Sequence, residues 1–298
     1  MPDSGVSWGE IFALMTAVTW ATGVVLFKKS GETVHPIGLN LFKNVLAVVL
    51  LIPTIYLFGE TVFYPAPWRH YLIVFLSGAI GIGVADTLFF KSLNAIGAAR
   101  SAIVDCLYSP SVIGLSMIFL GERLSVVQIV GVTLIISAVL TAVSERKMEP
   151  ADRKTILWGV FYGALAMGFT ATGIVIVKPI LNESPLLWVT EMRLLSGVAV
   201  LALFLLLMPS RRAIIRSVYS RIGLGYTFWG SFSGGYLAMA LWIAGMKFTQ
   251  ASTAAALNQT SNIFIFIFAA VFLRERITLF RLIGILLGVG GALLVTFG

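Results

Sequence analysis

Apolar residues run through this chain in blocks of about twenty, separated by short polar turns. Within a block they cover every side of a helix instead of alternating, and each block can cross a bilayer core of about 30 Å. Barrel strands would alternate over about ten residues, so helices are predicted. Ten spans result, at 10–28, 38–58, 70–92, 98–119, 125–144, 155–178, 186–207, 221–246, 251–273 and 279–297. The breaks include Lys28-Lys29-Ser30-Gly31, Tyr64-Pro65-Ala66-Pro67, Gly121-Glu122-Arg123, Pro209-Ser210-Arg211-Arg212 and Arg274-Glu275-Arg276. The longest polar stretch, Ser144 to Thr155, divides the spans five and five.

The two groups of five repeat one another. Trp8 to Lys28 reads WGEIFALMTAVTWATGVVLFK, and Trp158 to Lys178 reads WGVFYGALAMGFTATGIVIVK, 150 residues later. At the same offset Lys43 in the second span meets Arg193 in the seventh. Further on the offset becomes 153, where Leu120-Gly-Glu-Arg123 meets Leu273-Arg-Glu-Arg276 and Gly131 meets Gly284. An odd number of spans per copy makes the second copy enter the membrane from the opposite face. The expectation is an all-α integral membrane protein of ten transmembrane helices, arranged as two inverted five-helix repeats around a central cavity. The repeats are placed at 9–145 and 155–298, with 146–154 as linker.

Composition agrees. Hydrophobic residues make up 58% and charged residues 11%, with a mean hydropathy of +0.97; soluble domains carry about 25% charged residues. The net charge of +8 lies in short loops, where anionic lipid is the natural counterpart, so no nucleic-acid partner is expected. One cysteine, Cys106, and two histidines, His35 and His70, both read as loop residues, argue against a disulfide framework or a metal site. No cofactor is expected.

Two five-helix halves, a basic residue in the second span of each, and a Gly-Glu-Arg-type turn before the last helix of each resemble the EamA family. That family belongs to the drug/metabolite transporter (DMT) superfamily. The resemblance covers about residues 9–297; the second half departs from it with Arg274 where the first has Gly121. It implies a secondary carrier with a central cavity, commonly an exporter of amino acids, metabolites or toxic compounds. A bacterial inner (plasma) membrane location follows.

Orientation is read from loop charge. With a cytoplasmic N-terminus, the loops on that side would hold Arg69, Arg123, Lys178 and Lys247. The opposite loops would hold every other loop Lys and Arg, fifteen in all, including Arg146, Lys147, Arg153 and Lys154. Positive loops stay in the cytoplasm, so both termini are expected to be extracytoplasmic.

Ionisable groups inside spans are the best pointers to function, because each is costly in the bilayer without a partner or water. Lys43, Asp86, Asp105, Glu191 and Arg193 qualify, whereas Lys91, Arg100 and Lys247 lie near span ends and can snorkel. Asp105 and Ser109 share a helical face ahead of Pro110, which deprives the Cys106 carbonyl of its donor. The ninth span offers Asn258 and Asn262 at the equivalent positions. These pairs, with Tyr108, Tyr236 and Trp20, are candidate substrate contacts; helix–helix hydrogen bonding is the competing role for the pairs, and packing for Trp20. Asp86 and Asp105 are candidate proton-coupling groups, with an ion pair to Lys43 as the alternative for Asp86. Lys43 and Arg193 either order the bundle or anchor an anionic group. Gly284 and Gly288 allow close helix packing or a dimer face.

The sequence thus predicts a carrier of a small organic metabolite that works by alternating access, an exporter rather than an enzyme. Its partners are the lipid bilayer and the solute, with proton antiport or no ion coupling as the two alternatives, and it acts as a monomer, with a dimer as the alternative. The competing readings are an intramembrane enzyme and a non-transporting membrane subunit. The first would need clustered catalytic groups, and the second would not need an inverted repeat.

Overall fold

The computed structural model describes residues 8–120, 125–144, 153–248 and 257–297, and every regular element within them is helical. The first half contains α1 (Trp8–Ser30), α2 (Pro36–Leu57), α3 (Trp68–Gly78), α4 (Ala85–Asp105), α5 (Tyr108–Leu120) and α6 (Val126–Ser144). The second contains α7 (Arg153–Glu183), α8 (Leu186–Leu207), α9 (Arg211–Val218), α10 (Arg221–Gly230), α11 (Ala238–Phe248), α12 (Ser261–Phe272) and α13 (Leu279–Phe297). Among the described residues, six helical stretches are long and apolar enough to cross a membrane, and Val126–Ala142 and Leu257–Phe272 are shorter apolar ones. Side chains such as Leu57, Ile118, Leu207 and Leu286 point outward, as a lipid-facing surface requires. The start of the predicted ninth span, Gly121-Glu122-Arg123 and the middle of the linker lie outside the described residues.

Three features depart from the simple span pattern. Two π-helical segments, Ala79–Val84 and Ser231–Leu237, interrupt the third and eighth spans. α4 joins the end of the third span to the start of the fourth across Gly97, whose φ of +82° breaks the helix. A Cβ there would also stand 2.8 Å from Glu275 Oε1, so glycine is required on both counts. The third feature is α9, in a region read as a loop. It buries Ile214 and Val218 against Gly38 of α2 and exposes Arg211, Arg212 and Arg216. His70 belongs to the first turn of α3 and not to a loop, and Arg100, expected to snorkel, is 1% exposed.

Packing follows one pattern in both halves. α1 lies against α10, the second π-helical segment, α11 and α12; α7 lies against α3, the first π-helical segment, α4 and α5. α2 packs on α8 and α6 on α13. A Cβ at Gly23 would fall 2.6 Å from the Gly234 Cα, and one at Gly173 would fall 3.0 Å from the Gly81 Cα. Gly23 and Gly173 are repeat counterparts, so both halves cross backbone to backbone at the same place. Gly284 and Gly288 face Thr141, Ile103 and Cys106, which places them in packing within the chain.

Between α1 and α2, His35 caps α2: its Nδ1 accepts the Ile37 N–H at 3.3 Å, with Pro36 at the first helical position. Burial of part of the ring lowers its pKa below the ordinary 6.5, and the charge of Lys91 lowers it further. The folded chain therefore prefers the neutral ring that can accept this bond. Its contribution is complete above the ordinary histidine pKa and declines as the pH falls from there to the folded value. Melting in detergent should show a greater loss between neutral and mildly acidic pH for the native chain than for His35→Asn. Equal losses would exclude this cap as a source of the pH dependence.

Candidate functional site

Pro110 does what its chemistry predicts. α4 ends at Asp105, Cys106 and Leu107 form a tight turn, and α5 resumes at Tyr108, with the Ser111 N–H bonded to the Leu107 carbonyl at 3.1 Å. The bend places Ser109 opposite the segment at 257–262. Gln259 Nε2 donates to Ser109 Oγ at 2.5 Å, and Asn262 Nδ2 donates to Gln259 Oε1 at 3.1 Å and to Cys106 Sγ at 3.5 Å. Ser109 and Asn262 are thus brought together, but as members of one interhelix network. Gln259, which links them, was absent from the sequence candidates. Its signal was available: it lies three residues before Asn262, on the same helical face.

Two further polar groups of this region lack partners among the described residues. No hydrogen bond or ion pair among the described residues reaches the half-buried Asp105 carboxylate, and Asn258 Oδ1 is buried without a partner. Tyr108, also half-buried, lies within electrostatic reach of Arg193. Arg193 in turn is within reach of Asp86, and its Nε has no partner. A Cβ at Gly81 would lie 3.4 Å from Arg193 Nη2, so the first π-helical segment runs beside the guanidinium.

Asp86 forms an ion pair with Lys43, whose side chain is 7% exposed. The ammonium also lies 5.7 Å from the centre of the Phe90 ring. One turn earlier on α2, Asn40 Nδ2 donates to the Ile82 and Gly83 carbonyls at 3.0 and 3.2 Å and to Thr87 Oγ1 at 3.0 Å. A π-helical turn alters the regular carbonyl pairing, and Asn40 supplies the donor there. This clamp and the Lys43–Asp86 pair fasten α2 to the third span.

The aromatic candidates have partners. Trp20 packs on Phe89 with ring centres 6.1 Å apart, and Phe89 on Phe90 at 5.6 Å. The Tyr236 hydroxyl shares a hydrogen bond of 2.7 Å with Thr54 Oγ1 on α2. An apolar groove of about 420 Å³ lies between α5 and α7, lined by Pro110, Gly114, Ile118, Leu165, Gly168 and Phe169 among others. None of the polar candidates lines it.

Glu275 occupies a position that sequence reasoning treated only as part of a turn. Its carboxylate accepts the Ala98 N–H at 2.8 Å and the Ala99 N–H at 3.1 Å, capping the helix that restarts after Gly97. Arg281, 2% exposed, pairs with it at 3.8 Å. The last turn of the second half thereby holds the start of the fourth span in the first.

Comparison with known proteins gives a consistent result. The EamA-like transporter family profile matches the chain twice, over residues 7–144 and 157–297. An uncharacterized transporter of Archaeoglobus fulgidus is 25% identical over 275 residues, 92% of each chain. A solved crystal structure with 18% identity superposes with a TM-score of 0.68, covering 98% of this chain and 99% of its own, a likeness of fold. Helices able to cross a bilayer and this kinship make the protein a multi-pass membrane protein. The chain, matched along almost its whole length, belongs to the EamA-like transporter family.

Proposed function

We propose that the protein is a secondary active transporter that exports a small organic metabolite, an amino acid or related compound, across the plasma membrane. In this reading 9–145 and 155–298 form two inverted five-helix repeats, and rocking of one against the other opens a central cavity to each side in turn. The observation that carries the reading is the shared packing pattern, in which α1 meets the eighth span and α7 meets the third through equivalent glycine crossings. Asp105 and Asn258 offer unpaired polar atoms between the halves and, with Tyr108, serve as substrate contacts. Ser109, Asn262 and Tyr236 hold the helices that carry them, and Trp20 forms an aromatic wall with Phe89. The Lys43–Asp86 pair and Arg193 set the charge beside them. Both termini are extracytoplasmic by the loop charges, and the unit is the monomer.

Counterflow in proteoliposomes, screened with amino acids, polyamines, nucleosides and sugars, tests the reading. At least one class should exchange, and Asp105→Asn should abolish exchange while leaving expression and melting unchanged. Unchanged flux in that variant would remove Asp105 from the site, and absence of exchange for every class would overturn the carrier reading.

A further inference from the structure

Glu191 is a charge-bearing group buried without a partner among the described residues. It is 0% exposed, and neither carboxylate oxygen has a hydrogen-bond partner. On α8 it falls between Leu187 and Leu194 on one helical stripe, and those two leucines pack with Ala47, Leu51 and Ile55 of α2. The carboxyl group therefore lies on the α2–α8 contact, where a helix of the first half meets its counterpart in the second.

The neighbours offer it no counter-charge. Lys43, at the start of the α2 stripe, is committed to Asp86. From the side of α3, Tyr71 and the preceding Tyr64 pack on Trp188, one turn before Glu191. From the second π-helical segment, Tyr236 bonds Thr54. On α8 itself, Arg193 interacts with Tyr108 and Asp86. None of these hydrogen-bonds or pairs with either Glu191 oxygen. An ionised carboxylate there would have neither water nor a donor, a state that a bound proton removes. Asp86 differs: its charge is already matched by Lys43.

We propose that Glu191 is the proton-binding group of the carrier. It holds a proton while α2 and α8 are packed together and releases it to water when the two halves part. One O–H bond forms on a carboxylate oxygen and later breaks, and the proton passes between the aqueous phases on the two sides. The repeat counterpart of Glu191 is Leu41, so the repeat does not duplicate this group. This inference rests on the alternating-access reading given above.

Two experiments test it. Dicyclohexylcarbodiimide, which reacts with protonated carboxyl groups shielded from water, is applied to the full chain in proteoliposomes and the adduct located by peptide mass spectrometry. Glu191 should be labelled, less so as the pH rises, and Glu191→Gln should abolish the label. An unlabelled Glu191 at acidic pH, with other carboxyl groups modified, would overturn the proposal. With a solute that exchanges in the screen, Glu191→Gln should retain counterflow yet lose accumulation driven by a pH gradient. Native accumulation in that variant would overturn the Glu191 assignment and leave the carrier reading intact. A screen without any exchanging solute would instead defeat the carrier reading, and with it the release step. The labelling needs no substituted chain, so a poorly folding variant does not block it.

Discussion

Lys43→Met should destabilise the protein by about 3 kcal/mol, because it strands Asp86 in a site built for an ion pair. The lysine side chain is 7% exposed and the aspartate 23%, so most of the screening that weakens surface pairs is missing. The partial exposure of Asp86 keeps the expected cost at the lower end of the range of about 3–5 kcal/mol for breaking a buried pair. Lys43→Met also removes the cation over Phe90, a smaller loss of about 1 kcal/mol. The double replacement Lys43→Met/Asp86→Leu should recover most of the stability, since apolar residues of similar volume replace buried pairs without penalty. Melting in detergent across the four-member cycle measures the coupling. A single variant as stable as the native chain would show that the pair does not hold α2 to the third span.

The second large effect is expected at Glu275. Replacing it by alanine leaves the Ala98 and Ala99 N–H groups without their acceptor and removes the carboxylate beside Arg281. Hydrogen bonds to a charged acceptor are worth about 1.5–3 kcal/mol each, and two from one carboxylate share part of that. A loss of about 3 kcal/mol is expected. Glu275→Gln keeps one acceptor and should lie between the two. Melting gives the magnitude, and hydrogen exchange at Ala98 and Ala99 gives the location, since these amides should exchange faster in Glu275→Ala. If exchange accelerates only elsewhere, the cap assignment is wrong.

Much of the architecture could be read from the chain because span ends are written locally. Pro36, Pro185 and the basic turns mark where apolar runs stop, and α8 begins and ends where the hydropathy pattern places it, at 186 and 207. α9 escaped because eight residues with three arginines cannot produce an apolar run, although Ile214 and Val218 do lie four apart. The π-helical segments escaped because an extra residue in a turn leaves composition unchanged. At the site, residue type identified Asp105, Asp86 and Lys43, and the Lys43–Asp86 pair was among the alternatives the sequence offered, but the longer-range partners were another matter. The Gln259 bond to Ser109 spans 150 residues, and the Glu275 bond to Ala98 spans 177. Such partners depend on which helices adjoin, and hydropathy does not encode that. Glu191 was visible as an acid within a span, while its isolation became visible only with α2 packed against it.

The segment Ala79–Val84 also determines how the third span tolerates changes in length. An α-helix turns about 100° per residue, and a π-helical turn absorbs one more residue than an α-helical turn. Deleting one residue there would wind the segment back to regular helix with the residues after it facing nearly as before, whereas a deletion elsewhere in the span would swing them by about 100°. Asp86 would still face Lys43, while the Ile82 and Gly83 carbonyls would rejoin the regular ladder and leave the Asn40 amide. Surface loops accept changes of length at little cost, and within this helix the π-helical segment can lose one residue while the later pairings keep their facing. When the chain is aligned with relatives, a one-residue gap within residues 79–84 therefore signifies a regular helix in place of the π-helical turn, with the Lys43–Asp86 register kept.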